Sequence, residues 1–290
     1  MTIVRRTKLS PDELNDVRQL LQTCEKHDGI HLELSLNLSM HDQDEGSTRY
    51  DFLFYEGDDL QGYLASYAIV DPKHLEMGGM VAPERRREGI FRSLLQAAAE
   101  TFRENGIQEV LLVVENTSEE GKAMAESLRF PLSHSEYMLK HSGSEPETAD
   151  DHVQLDLASE EDVPALTSIH AKAFDDSEEE AATVIDHNMA SSSYDVFVAR
   201  LDSEIIGSVS VMNNHPNYFL SAFSIDPVLQ GQGLGGQVLR QTVARLLLRD
   251  GAMVMIEVEV DNRHALKLYQ NSGFEIVMGH DYYRFGFEEF

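Results

Sequence analysis

From Phe52 to Val70 the chain reads FLFYEGDDLQGYLASYAIV, two apolar and aromatic runs around a polar turn that contains glycine. That pattern predicts a strand, a tight turn and a second strand. Residues 196–212, VFVARLDSEIIGSVSVM, predict the same hairpin. After each hairpin a further short strand runs into a proline, Pro83 or Pro227, followed by a turn. Apolar residues at helical spacing then cover Ile90 to Asn105 and Leu234 to Asp250. A strand rich in Val, Leu, Ile and Met is predicted at 109–114 and at 253–258, each leading to a second helix. Gly106 and Gly251 stand where the C-terminal caps of the earlier helices belong.

The two stretches are copies. Pro83 and Pro227, Gly89 and Gly233, and Phe130 and Phe274 are each 144 residues apart. In a chain of 290 residues, two copies of about 145 are each large enough to bury a core of their own. Between them KHSGSEPETADD, residues 140–151, has no apolar periodicity and is predicted to be a linker. The expected domains are therefore 1–144 and 152–290.

Composition narrows the function classes. With 42% hydrophobic residues and no apolar run near the roughly 18 residues of a membrane span, a soluble chain is expected. A single cysteine, Cys24, excludes an intramolecular disulfide, and the start MTIVRRTKLSPDE lacks the apolar core of a signal peptide, so a cytoplasmic location is expected. The net charge of −28 argues against nucleic acid or an anionic membrane as a partner, because both call for a cationic footprint. Up to residue 144 there are 15 basic and 25 acidic residues, and beyond it 8 and 26. Acidic runs such as FDDSEEE (174–180) are either a solvated surface or an attractor for an amine. His27 and His31 are four apart, but Gly29 interrupts any helix that would align them on a metal. The alternating IHLELSLNLSM, 30–40, reads as an edge strand or as a flap over an acceptor site. No nucleophile signature such as GxSxG is present.

The chemistry gathers in SIDPVLQGQGLGGQVLRQTVARLL, residues 224–247. Gly231, Gly233 and Gly236 spell GxGxxG, but a dinucleotide fold puts its first glycine directly at the strand end, and here Pro227 to Gln230 intervene. The matching loop of the first copy, ERRREGIFRSLL, has no GxGxxG at all. What the loops share is (Gln/Arg)xxGx before a helix whose unpaired amides and positive dipole end suit a pyrophosphate.

With Gln230, Gly233 and Gly235 in QGQGLG, and with Asn262, Ala265, Leu268-Tyr269 and Gly273-Phe274 in VEVDNRHALKLYQNSGF, the chain resembles the GNAT superfamily of acyl-CoA-dependent N-acyltransferases. The resemblance implies an α+β fold of two tandem three-layer domains, each a mixed, mostly antiparallel central sheet flanked by helices. It implies acetyl-CoA as cosubstrate, no metal, and an acceptor that is the primary amine of a small molecule or peptide, attacked directly in a ternary complex. The pyrophosphate would lie on Gln230, Gly231, Gln232, Gly233, Leu234, Gly235 and Gly236, and the pantetheine arm along main-chain groups of Phe223, Ser224 and Ile225. Tyr269 would be the acid that protonates the departing thiolate, unless it merely packs on the sheet. With an ordinary pKa of about 10 against roughly 8.5 for a thiol, a tyrosine transfers that proton almost thermoneutrally. Asn262 either anchors the arm or caps the helix that follows.

No base is evident. The strand NYFLSAFSIDP carries no Glu, whereas the first copy has Glu76 at the corresponding place, and His215, Glu257 and Glu259 are the remaining candidates of the second half. The first copy has Ala125 at the position of Tyr269 and Phe91 at that of Gly235, and so reads as catalytically degenerate; Arg85, Arg86 and Arg87 leave open whether it binds CoA or another phosphorylated ligand. The paired layout is similar to that of the mycothiol synthases, although no residue identifies their acceptor. A rival reading is a non-catalytic acyl-CoA sensor, and a third is an acyltransferase with another donor or acceptor.

Overall fold

A computed structural model describes residues 1–38, 41, 48–144 and 152–290. They form two compact units, Met1–Ser135 with Gly279–Phe290, and Glu136–Met278.

In the first unit β1 (Thr2–Arg6), β2 (Arg49–Glu56), β3 (Asp59–Tyr67) and β4 (His74–Val81) are antiparallel neighbours in that order. β4 then runs parallel to β5 (Glu109–Glu115). Strand alternation divides the apolar residues between two faces. Phe52, Phe54 and Leu64 pack with Leu94, Leu95 and Phe102 of α3 (Ile90–Glu104), while Leu53, Tyr63 and Ala65 pack with Val17, Leu20 and Leu21 of α1 (Pro11–Asp28). α1 opens with Pro11 and a reciprocal Ser10–Glu13 capping box. Glu33–Leu36 form one helical turn, α2, and Glu119–Ser127 form α4.

The second unit repeats the plan. β7 (Gln154–Leu157), β8 (Tyr194–Leu201), β9 (Glu204–Asn214) and β10 (Asn217–Ile225) are antiparallel neighbours, and β10 runs parallel to β11 (Met253–Glu259). α7 (Leu234–Leu247) and α8 (Arg263–Asn271) cover one face through Val238, Leu239, Val243 and Tyr269, against Val254, Ile256 and Val258. α5 (Val163–Phe174) and α6 (Glu178–Ala190) cover the other through Leu166 and Ile185, against Val196 and Val198.

Each unit is completed by a strand from outside its own copy. The far edge of β11 pairs with residues 136–140 of β6 (Leu132–His141), and the far edge of β5 pairs with residues 280–284 of β12 (Phe274–Arg284). The C-terminal tail follows β12 into the first core, where Phe285 lies edge-on to Phe102 and Phe130, at 6.1 and 5.3 Å between ring centroids. The units thus divide within β6 and β12. Lys140 and His141, read from the sequence as the start of the linker, belong to β6, and residues 145–151 lie outside those described.

Two local expectations change. Within 30–38 the chain forms the helical turn α2, not an edge strand: the carbonyls of Leu36 and Asn37 are taken by the Arg49 guanidinium (3.0 and 2.8 Å) and Leu36 is buried beside Leu53; residues 39 and 40 of that stretch lie outside those described. α7 ends at Leu247, with Leu248 as its cap, so Gly251 closes a separate turn.

Candidate functional site

The site of the second unit starts from a strand that leaves its neighbour. β10 pairs with β11 only from Asn217 to Leu220, and its register with β9 breaks between Ser221 and Ser224, where Ala222 is left-handed (φ 48°). Beyond Leu220 and Ile256 the facing edges of β10 and β11 therefore splay, and main-chain groups there lack a ladder partner. Gly207 makes the bulge possible: a Cβ there would stand 2.1 Å from the Ser224 carbonyl oxygen. Gly207→Ala is expected to lower stability by about 1–3 kcal/mol, measured by thermal melting, because β9 and β10 must separate to admit the methyl group.

The loop after β10 is closed by its own side chains. Asp226 Oδ1 accepts the Val228 N–H (3.1 Å), and Gln230 Nε2 donates to the Ile225 carbonyl (3.0 Å). The first copy does the same with a different residue, Arg86 Nε donating to the Val81 carbonyl at 3.2 Å. The Gln-or-Arg position is thus a donor long enough to reach back five residues and hold the loop. α7 begins at Gly233 (φ 80°) without a side-chain cap, and its first amide with a helical partner is that of Gln237, bonded to the Gly233 carbonyl. Among the described residues no acceptor is found for the N–H groups of Gly231, Gln232, Gly233, Leu234, Gly235 and Gly236. Six free amides at the positive end of a helix are of the kind that can hold an anion.

Phe223 ties the parts together. A Cβ on Gly235 would meet the Phe223 ring at 3.5 Å and Leu268 of α8 at 3.3 Å, so the loop presses on the bulge and on α8. The Tyr269 ring lies between Phe223 and Phe274, with centroids 6.3 and 6.2 Å away. Tyr269 is buried, and burial pushes its phenol well above the ordinary tyrosine range, so it stays protonated at neutral pH. Asn262 accepts the Ala265 N–H with Oδ1 (3.1 Å) and so caps α8.

The residues considered as bases are dispersed. His215 bonds the Asp250 carbonyl (3.0 Å) just before β10 begins, at the end of the strand opposite the bulge. Glu257 and Glu259 are exposed and alternate with Val254, Ile256 and Val258, so they occupy the face away from α7. That face holds a buried polar group that sequence reasoning missed. Asn188 of α6 donates to Ser210 (3.0 Å), Ser208 bonds Ser224 (3.2 Å), and His170 of α5 is 4% exposed with no hydrogen-bond partner at Nδ1. Its Nε2 stands 3.5 Å from Asp176, and burial holds its pKa below the ordinary histidine value, so the ring is neutral at pH 7. The signal was present: in VPALTSIHAKAF, His170 shares the buried stripe of Leu166 and lies four residues before Phe174.

The first copy has the same splay and a different filling. β4 leaves β5 after Met77, but the Phe91 ring would lie 2.7 Å from a Cβ on Gly79, and the Ser35 carbonyl 2.5 Å from one on Gly78. Ala125 is buried in the core at the place of Tyr269. Arg85 pairs with Glu56 and Glu88, Arg86 pairs with Asp28 (2.6 Å), and Glu76 accepts from the Tyr67 hydroxyl (3.1 Å). Arg87 holds φ 69° where the second copy has Gly231 at φ 76°.

The sequence profile described as the Acetyltransferase (GNAT) family matches residues 14–130 and 163–274. The chain belongs to this family, as two tandem domains, and is an acyltransferase. A mycothiol acetyltransferase of Propionibacterium freudenreichii is 24% identical over 93% of this chain and 88% of its own, and one of Thermomonospora curvata is 28% identical over 92% and 91%. The N-alpha-acetyltransferase RimI of Mycobacterium tuberculosis is 34% identical over 30% of this chain and 56% of its own. In fold, a GCN5-related N-acetyltransferase from Sphaerobacter thermophilus superposes with a TM-score of 0.77 at 14% identity, covering 98% of this chain and 96% of its own. A tandem GNAT protein from the clavulanic acid biosynthesis pathway gives 0.71 at 14%, covering 98% of each. Among the described residues no helix is long and apolar enough to cross a membrane.

Proposed function

We propose that the chain is an acetyl-CoA-dependent N-acetyltransferase whose working site is in the second unit and whose acceptor is a primary amine. The observation that carries this is the meeting, through Phe223, of the uncapped α7 start, the splayed β10 edge and the buried Tyr269 phenol. These residues fit a CoA ester. The amides of Gly231 to Gly236 match a pyrophosphate, and the main chain of Phe223 to Ile225 offers unpaired groups to an amide-bearing arm. When bound, acetyl-CoA supplies an acetyl group activated as a thioester. Tyr269 then has a proton to give to the departing sulfur; burial between Phe223 and Phe274 keeps that proton on the phenol at neutral pH and makes its release costlier than the near-thermoneutral transfer expected of an ordinary tyrosine.

The transfer is direct. Cys24 is the chain's sole thiol, and it is buried in the first unit against the Val81 carbonyl, so no cysteine serves the second site as a nucleophile. The first copy serves as structure: Phe91 and the Ser35 carbonyl flank the strand along which an arm would lie, and two of the three arginines of its loop, Arg85 and Arg86, are committed to carboxylates. The relatives that span the chain carry the name mycothiol acetyltransferase, which favours an acceptor related to mycothiol over a peptide terminus, for which the RimI likeness covers only 30% of the chain.

Titration calorimetry with CoA is expected to give one site per chain, lost in Gly235→Phe, together with acetylated product from acetyl-CoA and at least one small amine. CoA binding without transfer to any amine would make the protein a sensor. Two equivalent CoA sites would refute the assignment of the first copy.

A further inference from the structure

Removing a proton from an ammonium of ordinary pKa costs about 4–5 kcal/mol at pH 7, and the chain offers no carboxylate on β10 to take it. On the assumption that the second unit performs the transfer just described, we infer that His170 is its general base, with Nδ1 receiving the acceptor's proton directly or through one water.

Position comes first. α5 packs on β9, on β10 and on the turn of residues 227–229 that follows β10. The repeat sharpens this. Cys24 stands five residues before Gly29, the left-handed cap of α1, and its sulfur is 3.5 Å from the carbonyl of Val81, the last residue of β4. His170 stands five residues before Asp175, the left-handed cap of α5, and so falls at the matching end of β10, level with the bulge. There Ser208, Ser210, Ser224 and Asn188 form a buried polar floor on the α5–α6 face, while Tyr269 belongs to the α7–α8 face. Base and acid thus belong to opposite faces of the sheet, His170 with α5 against β9 and β10, and Tyr269 with α8.

Chemistry comes second. Nδ1 is buried and unpartnered, an arrangement that costs free energy unless a ligand or water completes it. Nε2 faces Asp176, whose carboxylate is 37% exposed, so a proton taken up inside has a route out. Asp176 is the charged group acting on the ring. The other groups on that face are Ser208, Ser210, Ser224 and Asn188, which do not titrate near neutrality, and the exposed Glu257 and Glu259 of β11. In the balanced step the acceptor N–H bond breaks as Nδ1–H forms. The nitrogen lone pair makes the N–C bond while the C–S bond breaks, and the thiolate takes the Tyr269 proton.

The test is the pH profile of kcat/KM for the wild type, His170→Gln and Asp176→Asn. Acetyl-CoA is offered with cysteamine, glucosamine, spermidine and an alanine-led peptide amide, and acetylated product is read by mass. The wild type is expected to show an acid limb below pH 6.5 and a plateau above it. His170→Gln should lose that limb, fall about 10²- to 10⁴-fold at pH 7, and recover about tenfold per pH unit as free amine accumulates. Asp176→Asn should shift the limb to lower pH, since the carboxylate favours the charged ring, and lower the plateau rate less than His170→Gln does. CoA affinity by calorimetry, expected to be unchanged, controls for folding in both variants. A His170→Gln profile that superimposes on the wild type overturns the role of His170 alone. No product from the wild type with any of these amines, despite CoA binding, overturns the transfer reading and this inference with it.

Discussion

Tyr269→Phe is expected to lower kcat by about 10²- to 10⁴-fold while leaving CoA affinity within about twofold of the wild type. The substitution removes one oxygen and keeps the ring between Phe223 and Phe274, so the loop that meets Phe223 is not disturbed. Among the described residues the hydroxyl has no hydrogen-bond partner to lose, and folding stability should hold or rise slightly. The pH dependence carries a sign. Burial raises the phenol's pKa above about 10, so the folded state favours the protonated form and no alkaline limb from this residue is expected between pH 7 and 10. Stopped-flow or steady-state rates with the best amine, set beside calorimetry, read both parts. A variant with full turnover would leave Tyr269 as packing alone.

Asp51→Ala should destabilise the first unit by about 3–5 kcal/mol, measured by calorimetric or denaturant unfolding. Asp51 is wholly buried in β2 and accepts from Arg49 (3.1 and 3.2 Å) and from the Tyr63 hydroxyl (2.5 Å), with His41 3.5 Å away. The same Arg49 holds the carbonyls of Leu36 and Asn37, so the aspartate secures α2 as well as a charge. Deleting the carboxylate leaves a guanidinium inside the core without its counter-charge. Burial alone would raise the Asp51 pKa, but His41, Arg49 and Tyr63 outweigh it and hold it below the usual carboxylate value. Its contribution is therefore present above about pH 4 and lost as pH falls through the folded-state value, so the wild type and the variant should converge in acid. An unchanged unfolding free energy would mean that the pair contributes nothing net.

Much of the proposed site was marked along the chain. The loop at 230–236, the strand before it and Tyr269 each stood out by a local pattern, and the structure places the uncapped start of α7, the β10 bulge and the Tyr269 ring around Phe223. Three things were not readable. Phe223 looks like any aromatic strand residue until the bulge turns it onto Gly235 and Tyr269. The glutamine of QGQGLG reads as a ligand group, yet its amide donates to Ile225 and shapes the loop. His170 sits in an apolar helical stripe with no flanking motif, and only the folded chain shows its ring buried with Nδ1 unpartnered and Nε2 facing Asp176.

By itself the sequence determined the duplication, the hairpins and helices of each copy, and the glycine-rich, uncapped start of α7 in the second, since these depend on periodicity and on residues adjacent in the chain. Only the tertiary structure decided which strand completes each unit, why the first copy's groove is filled, and which polar side chains meet beneath α5. The first rests on contacts between residues more than a hundred positions apart, and the other two on residues from separate elements brought together by packing, where burial and shape select the partner and no local pattern records the choice.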